Sequence, residues 1–391
     1  MRIPDIIKNI SLMGGALLVC LLAVEGGLQL VAPAPSPYTH FVWPPGQQKV
    51  FRPAPGVMPG VEGESHFTIN AAGFRGTPFA SGDARRYLVL GGSTTECLFL
   101  DDTETWPAVA ERTLGPGVKV ANVGKSGLNM RDHLMQVGPL LDQYGKLDGV
   151  ILMAGVNDLL ARLAQQDAYD PGFFDTPAGP RVHRKRAFAA IVDPDAEKRR
   201  PWYARLQLWK RVERGMAAMK AQREAEEKEV MVQDEAGNAY VRARRQRAAT
   251  PETDLLPDLG TAVEEFRRNL NRFVDEAEKR HVPVIFVTQA SLWRENMAPE
   301  EKALLWMGGK GNLRAANVRE YYSPGALLRG LTLFNEAMLA LCAERQVTCI
   351  DVAGVVPKEA GYFYDEVHFN EKGAALVGET VASALRAPSA P

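Results

Sequence analysis

Tyr87-Leu88-Val89-Leu90-Gly91-Gly92-Ser93-Thr94-Thr95 is the stretch on which the fold turns. Four consecutive apolar residues that stop at a glycine pair and a run of hydroxyls predict a strand buried on both faces, followed by a tight turn. Four further runs have the same character: Val118–Val123, Gly149–Met153, Val282–Thr288 and Val347–Val352. Helical patterns lie between and after them, at Trp106–Leu114, Met130–Tyr144, Thr261–Arg280, Pro324–Glu344 and Glu371–Leu385. Alternation of strand and helix predicts an α/β sandwich around a parallel sheet. Residues 160–257 break the rhythm as a long insert between the third and fourth strands.

Ligands of open α/β sheets sit beyond the carboxyl ends of the strands, so the residues following each strand carry the functional information. Gly91-Gly92-Ser93 follows the first strand, Asn122 to Gly127 the second and Gly155-Val156-Asn157-Asp158 the third. Asp365-Glu366-Val367-His368 precedes the last helix. These residue types suit acyl transfer. A serine needs a base to become a nucleophile, and His368 is a candidate for it at Ser93. Asp365 stands three residues before His368, so one turn can set its carboxylate against the imidazole. Developing oxyanions need fixed donors; the backbone N–H groups of Ser93 and Gly127 and the Asn157 amide are the candidates.

With these blocks in this order, the sequence resembles the SGNH (GDSL-type) hydrolase superfamily over about residues 85–160 and 260–388. Gly91-Gly92-Ser93 matches the nucleophile block, with Gly92 where many members carry Asp. Ser126-Gly127, Gly155 to Asp158 and Asp365–His368 match the other three. The resemblance implies a three-layer α/β/α sandwich, flavodoxin-like in strand order, with five parallel strands. It implies Ser93 as nucleophile, His368 as base, Asp365 as its orienting acid, and Ser93, Gly127 and Asn157 as the oxyanion hole. No cofactor and no metal are implied.

Other motifs fail on single residues. Gly124-Lys125-Ser126 lacks the earlier glycine of a phosphate loop, since position 119 is Lys119. Gly91-x-Ser93-x-Thr95 lacks the second glycine of the α/β-hydrolase elbow. Asp365, Glu366 and His368 have no second histidine cluster to complete a metal site. His40, His66, His133, His183 and His281 are scattered, and only His133 stands near a block. Cys97 reads as packing. Cys342 and Cys349 are open to two readings, one bridge in an oxidising compartment or two buried thiols.

Residues 10–32, Ile-Ser-Leu-Met-Gly-Gly-Ala onward, carry one charge, Glu25. A helix of this length spans a hydrocarbon core of roughly 30 Å. Arg2 and Lys8 precede it, and the next Lys or Arg is Lys49. The positive-inside rule then places the N-terminus in the cytoplasm and the body outside. A retained single-pass signal anchor over 1–32 is the expectation. A signal peptide cleaved after Ala34 would put Pro35 at the first mature position, and Cys20 after Val19 does not suit a lipoprotein. Prolines 33, 35, 37, 44, 45, 53, 55 and 59 predict a stiff stalk and lead-in over 33–84, which includes the turn-rich Asn70–Gly76. The catalytic domain then occupies 85–391.

The chain's 391 residues have a formal net charge of −1, which excludes a globally basic nucleic-acid binder. That figure hides a partition. Arg184–Ala248 holds 17 Lys/Arg against 10 Asp/Glu, a local charge of +7. It reads either as a solvated helical cap or as a surface for anionic glycan or headgroups; Pro201–Val230 has helical periodicity and Ala236–Ala239 a turn pattern. Trp202, Tyr203, Trp209 and Trp293 are candidate sugar platforms or packing residues. The functional expectation is an extracytoplasmic serine esterase removing small acyl groups, O-acetyl above all, from an envelope or exported polysaccharide. An O-acyltransferase on a glycan, a lipase or thioesterase acting on lipid, and a non-catalytic component of a polysaccharide export complex are the alternatives.

Overall fold

The computed structural model describes residues 3–31, 38–193, 195, 199–213, 215–216, 239–311 and 318–386. The chain forms two compact units, one of residues 1–39 with 192–232 and one of residues 40–191 with 233–391.

The smaller unit contains helix α1 (Ile3–Leu30). Its Ser11–Leu30 part is long and apolar enough to cross a membrane. Most apolar side chains of Ser11–Leu30 are exposed, while Glu25 is buried. Within the insert, a 3-10 turn covers Trp202–Arg205 and residues 207–213 are helical. Most of the remaining expected helix to Val230, and the turn at Ala236–Ala239 apart from Ala239, lie outside the described residues.

The larger unit holds five parallel strands: β1 (Arg85–Gly91), β2 (Val118–Asn122), β3 (Gly149–Met153), β4 (Val284–Val287) and β5 (Thr348–Ile350). Their spatial order is β2-β1-β3-β4-β5. Each fills one of the five apolar runs, with ends shifted by up to two residues. Strands β3 and β4 are buried throughout, as continuous apolar runs in a covered parallel sheet require. In register, Val89 faces Asn122 on one side and Ile151 on the other.

Helices cover both faces. The helices of this unit include α2 (Ser93–Glu96), α3 (Trp106–Leu114), α4 (Met130–Tyr144), α5 (Val156–Gln165), α6 (Gly179–Ala187), α7 (Gly260–Glu278), α8 (Pro324–Arg345) and α9 (Glu371–Arg386). One layer packs α3 against α9, and the other joins α4, α5, α7 and α8. In the second layer Phe266 meets Phe334 edge-on at 5.2 Å between ring centres. Helix α8 also has the length and composition of a membrane span, but Leu327, Leu331, Phe334 and Met338 are buried in the core. Cys342 and Cys349 are joined by a disulfide, with Cα atoms 6.0 Å apart, which resolves the two readings of that pair.

The expectation of an extended stalk is corrected from His40 onward; residues 32–37 lie outside the described residues. Gln48–Phe51 pairs antiparallel with Ser65–Thr68, and His40–Phe41 with Ala190–Ile191. Proline density suggested a stiff spacer, but the aromatic residues between the prolines have a surface to bury. Phe51, Met58, Phe67 and Ile69 form a cluster with Phe99 and Tyr364. Arg75, in the turn-rich Asn70–Gly76, is buried. Its guanidinium donates to the carbonyls of Glu96, Cys97 and Leu100 and to Asp102 Oδ1 at 2.5 Å. Those carbonyls lie at the end of the one-turn helix that begins at Ser93 and in the loop after it.

Removing one partner from so many buried acceptors strands the rest. Arg75→Met is expected to lower stability by roughly 3–5 kcal/mol, the range for breaking a buried ion pair, as read by urea unfolding.

Candidate active site

Strand β1 ends in Gly91, Gly92 precedes the helix, and Ser93 opens the one-turn helix α2. The turn is tight because side chains crowd it. A Cβ on Gly92 would stand 2.4 Å from Asn157 Nδ2, so a larger residue at this position, such as the Asp common in the resembled family, requires the Asn157 amide to shift. Thr94 Oγ1 donates to Gln289 Oε1 at 2.9 Å, and the Trp106 indole donates to Thr94 O at 3.1 Å. Behind the turn, Glu96 is buried and accepts the backbone N–H of Ser126 at 2.8 Å as well as the Ser126 hydroxyl. Burial raises the Glu96 pKa against the pull of those two bonds. Cys97 is buried, and burial pushes its thiol up to about 12, consistent with packing rather than chemistry.

Asp365 and His368 lie in a turn closed by a bridge between Phe363 and Phe369. Asp365 Oδ1 accepts the backbone N–H groups of Val367 at 3.0 Å and His368 at 2.9 Å, the local turn that aspartate favours. Its Oδ2 is 2.7 Å from His368 Nδ1 and accepts the Trp306 indole N–H at 3.0 Å. On the far side of the ring, His368 Nε2 is 2.7 Å from Ser93 Oγ. The imidazole stacks on Tyr364 at 5.3 Å. Three residues from two distant blocks thus form one hydrogen-bonded chain, with Asp365 fully buried and Ser93 partly accessible.

The electrostatics follow from this geometry. Burial alone would raise the Asp365 pKa, but the charge and hydrogen bond of His368 outweigh it and leave it lowered. Burial alone would lower the His368 pKa, but Asp365 reverses that and leaves it raised. Glu366 is pushed up to about 7, first by burial and then by repulsion from Asp365. It accepts the backbone N–H groups of Trp306, at 3.0 Å, and Met307, so it holds the segment that carries the indole.

Gly127 has φ +77°, a conformation that glycine adopts without strain. Asn157 stands in the first turn of α5 and donates through Nδ2 to Leu128 O at 2.7 Å. Gly127 and Asn157 line one cavity of about 460 Å³, bounded also by Arg131, Asp170, Phe173 and His183. Ser93 does not line it. The insert therefore contributes a wall of this cavity through α6. There His183 Nδ1 meets the buried Asp132 at 2.7 Å, and Arg186 donates to Gly127 O at 2.7 Å. His133, the other histidine singled out, is buried against Gln136 at 3.0 Å. Trp293 is buried in the core.

The sequence pattern of the GDSL-like Lipase/Acylhydrolase family matches residues 89–376. The chain belongs to this family. As a member it is a serine hydrolase acting on ester bonds. Solved structures similar to it include a carbohydrate acetylesterase from Sinorhizobium meliloti, at 11% identity and TM-score 0.39, over 77% of this chain and 98% of that one. An aryl esterase from M. smegmatis matches at 13% identity and TM-score 0.40, over 78% of this chain and 99% of that one. A lipolytic G-D-S-L family member from Veillonella parvula matches at 12% identity and TM-score 0.38, over 77% and 97%. No curated protein matches the sequence.

Sequence reasoning missed Trp306, Glu96 and Arg75. Trp306 is remote from every block and has no spacing signal. Glu96 follows Ser93 by three residues and was visible only as one more polar position. Arg75 stood in the turn-rich Asn70–Gly76, where an exposed charge is the ordinary expectation.

Trp306→Phe takes one donor from the buried carboxylate and concentrates its charge. The His368 imidazolium pKa is then expected to rise further, as read by NMR of the ring protons. A stability loss of roughly 1–3 kcal/mol should accompany it.

Proposed function

We propose that this esterase uses Ser93 as nucleophile, His368 as general base and Asp365 as the acid that orients it. The observation that carries the reading is the pair of 2.7 Å contacts from Asp365 through His368 to Ser93 Oγ. Ser93 Oγ attacks an ester carbonyl while its proton passes to His368 Nε2. The tetrahedral oxyanion takes hydrogen bonds from the backbone N–H groups of Ser93 and Gly127 and from Asn157. One N–H of the Asn157 amide serves Leu128 O, and a second remains for the substrate. The alcohol leaves with the proton from His368, and water, activated by the same imidazole, releases the acid.

The proposed substrate is an O-acetylated polysaccharide of the cell envelope or in export. Polar groups in the wall of the cavity beside Gly127 and Asn157 support it: Arg131, Asp170 and His183 offer hydrogen bonds to sugar hydroxyls, next to the apolar Leu160, Phe173 and Val182 against which a sugar ring can pack. The proposed location is the outer face of a membrane, with α1 as a retained anchor and the N-terminus cytoplasmic. The apolar Ser11–Leu30 supports this, as does the Cys342–Cys349 disulfide, since such bonds persist in oxidising compartments.

Ser93→Ala and His368→Ala are expected to abolish hydrolysis of nitrophenyl acetate and of acetylated glycan. Asn157→Ala should cost roughly 10²–10³ in kcat, as for one oxyanion donor. Full turnover by Ser93→Ala would refute the assignment.

The base must be unprotonated, and Asp365 stabilises its protonated form. The kcat/KM of the free enzyme should therefore climb with pH through one ionisation displaced above the ordinary histidine value near 6.5, and stay flat beyond it. Mass spectrometry of protein from unreduced cells should recover Cys342 and Cys349 as one linked peptide pair; a fully reduced pair would count against the proposed location.

A further inference from the structure

Glu25 is the one charge in an otherwise apolar span, and its partners say where a second segment must lie. Its side chain is 8% exposed, while Leu22 and Val24 beside it are 63% and 48% exposed. The carboxylate accepts the backbone N–H of Gln207 at 2.8 Å through Oε1 and that of Leu208 at 2.9 Å through Oε2. Gln29, one turn on, donates to it at 3.0 Å. These amides open the helical stretch 207–213. An otherwise costly intramembrane carboxylate is thus satisfied by backbone donors from the insert.

Depth follows from helix geometry. Glu25 lies five residues before Leu30, about 7.5 Å along the axis at 1.5 Å per residue. The twenty residues Ser11–Leu30 span a hydrocarbon core of about 30 Å, so the start of the 207 helix is held just inside its outer boundary. Interfacial segments bury their apolar face about 5–10 Å deep.

The residues around that tie have the chemistry of this zone. Trp202, Tyr203 and Trp209 are 71%, 46% and 40% exposed. They pack edge-to-face, with ring centres 6.1 Å apart for Trp202–Tyr203 and 5.6 Å for Tyr203–Trp209. Val212 and Met216 add exposed apolar surface. Arg205 and Arg211 stand among them. Tryptophan and tyrosine concentrate where one end of the ring meets lipid and the other water, and arginines there reach phosphates.

We propose that residues 202–212 form an interfacial lipid-binding element, tied to the anchor through Glu25 and seated among the phospholipid headgroups of the outer leaflet. It deepens the anchor reading under Proposed function and rests on it. The exposed aromatic residues of the insert therefore serve the membrane rather than a sugar.

The test uses the full chain reconstituted in phosphatidylcholine–phosphatidylglycerol vesicles containing brominated lipid. Bromines near the headgroup end of the acyl chain should quench tryptophan emission more than bromines near the chain terminus. The quenched share should fall by more than half in the Trp202→Phe/Trp209→Phe double variant, whose folding is checked by circular dichroism. Glu25→Leu, which cuts the tie but keeps the span, should reduce the quenching of both tryptophans. Unchanged quenching in the double variant, or none in wild-type protein that resists carbonate extraction, overturns the interfacial placement and leaves the anchor standing. Extraction of the wild-type chain by carbonate overturns the anchor and this inference together.

Discussion

The Asp365 carboxylate is the constraint around which the larger unit is arranged. It is removed from water, and a carboxylate in that position is tolerable only if every lone pair is used. Two backbone amides, one imidazole and one indole use them. Three of these donors come from within three residues, and their cost is small because the turn is local. The fourth, Trp306, comes from a loop that Glu366 holds by its backbone. The charge that sets the orientation and proton affinity of His368 thus depends on a segment outside the recognisable motif.

Two arginines of the insert extend this support. Arg244 donates to the carbonyls of Tyr364, beside the Asp365 turn, and of Leu304, and Arg247 donates to those of Met307 and Tyr322. Both guanidinium groups are nearly buried. Part of the +7 charge of Arg184–Ala248 is therefore structural, spent on carbonyls that the irregular 304–310 segment would otherwise leave unsatisfied. Arg75 does the same for the turn after Ser93 from the opposite end of the chain. Irregular loops around a catalytic edge expose many carbonyls, and arginine, with five donors in a rigid fork, satisfies several at once.

The strands, their parallel order of appearance and the four polar blocks were legible in the sequence because each is a local pattern. Tyr87 to Leu90 is apolar without alternation, and Asp365 and His368 are close enough for one turn. The folding back of residues 40–84 was not legible. Proline counts report local stiffness, whereas Phe51, Phe67 and Ile69 find their partners in Phe99 and Tyr364, which are remote in sequence. The partner of Glu25 was equally hidden, since a carboxylate in an apolar helix states a need for donors and not their source.

By itself, the amino-acid sequence determined the α/β class, the chemical types gathered at the strand ends and an apolar N-terminal span, since periodicity and short-range spacing encode all three. Tertiary structure alone decided that Trp306 completes the Asp365 shell, that Arg75 and Arg244 brace the turns, and that Glu25 is met by Gln207 and Leu208. Hydrogen bonds between residues tens to hundreds of positions apart leave no mark on local pattern. They arise because buried charges and carbonyls must find donors in whatever the closed fold brings near.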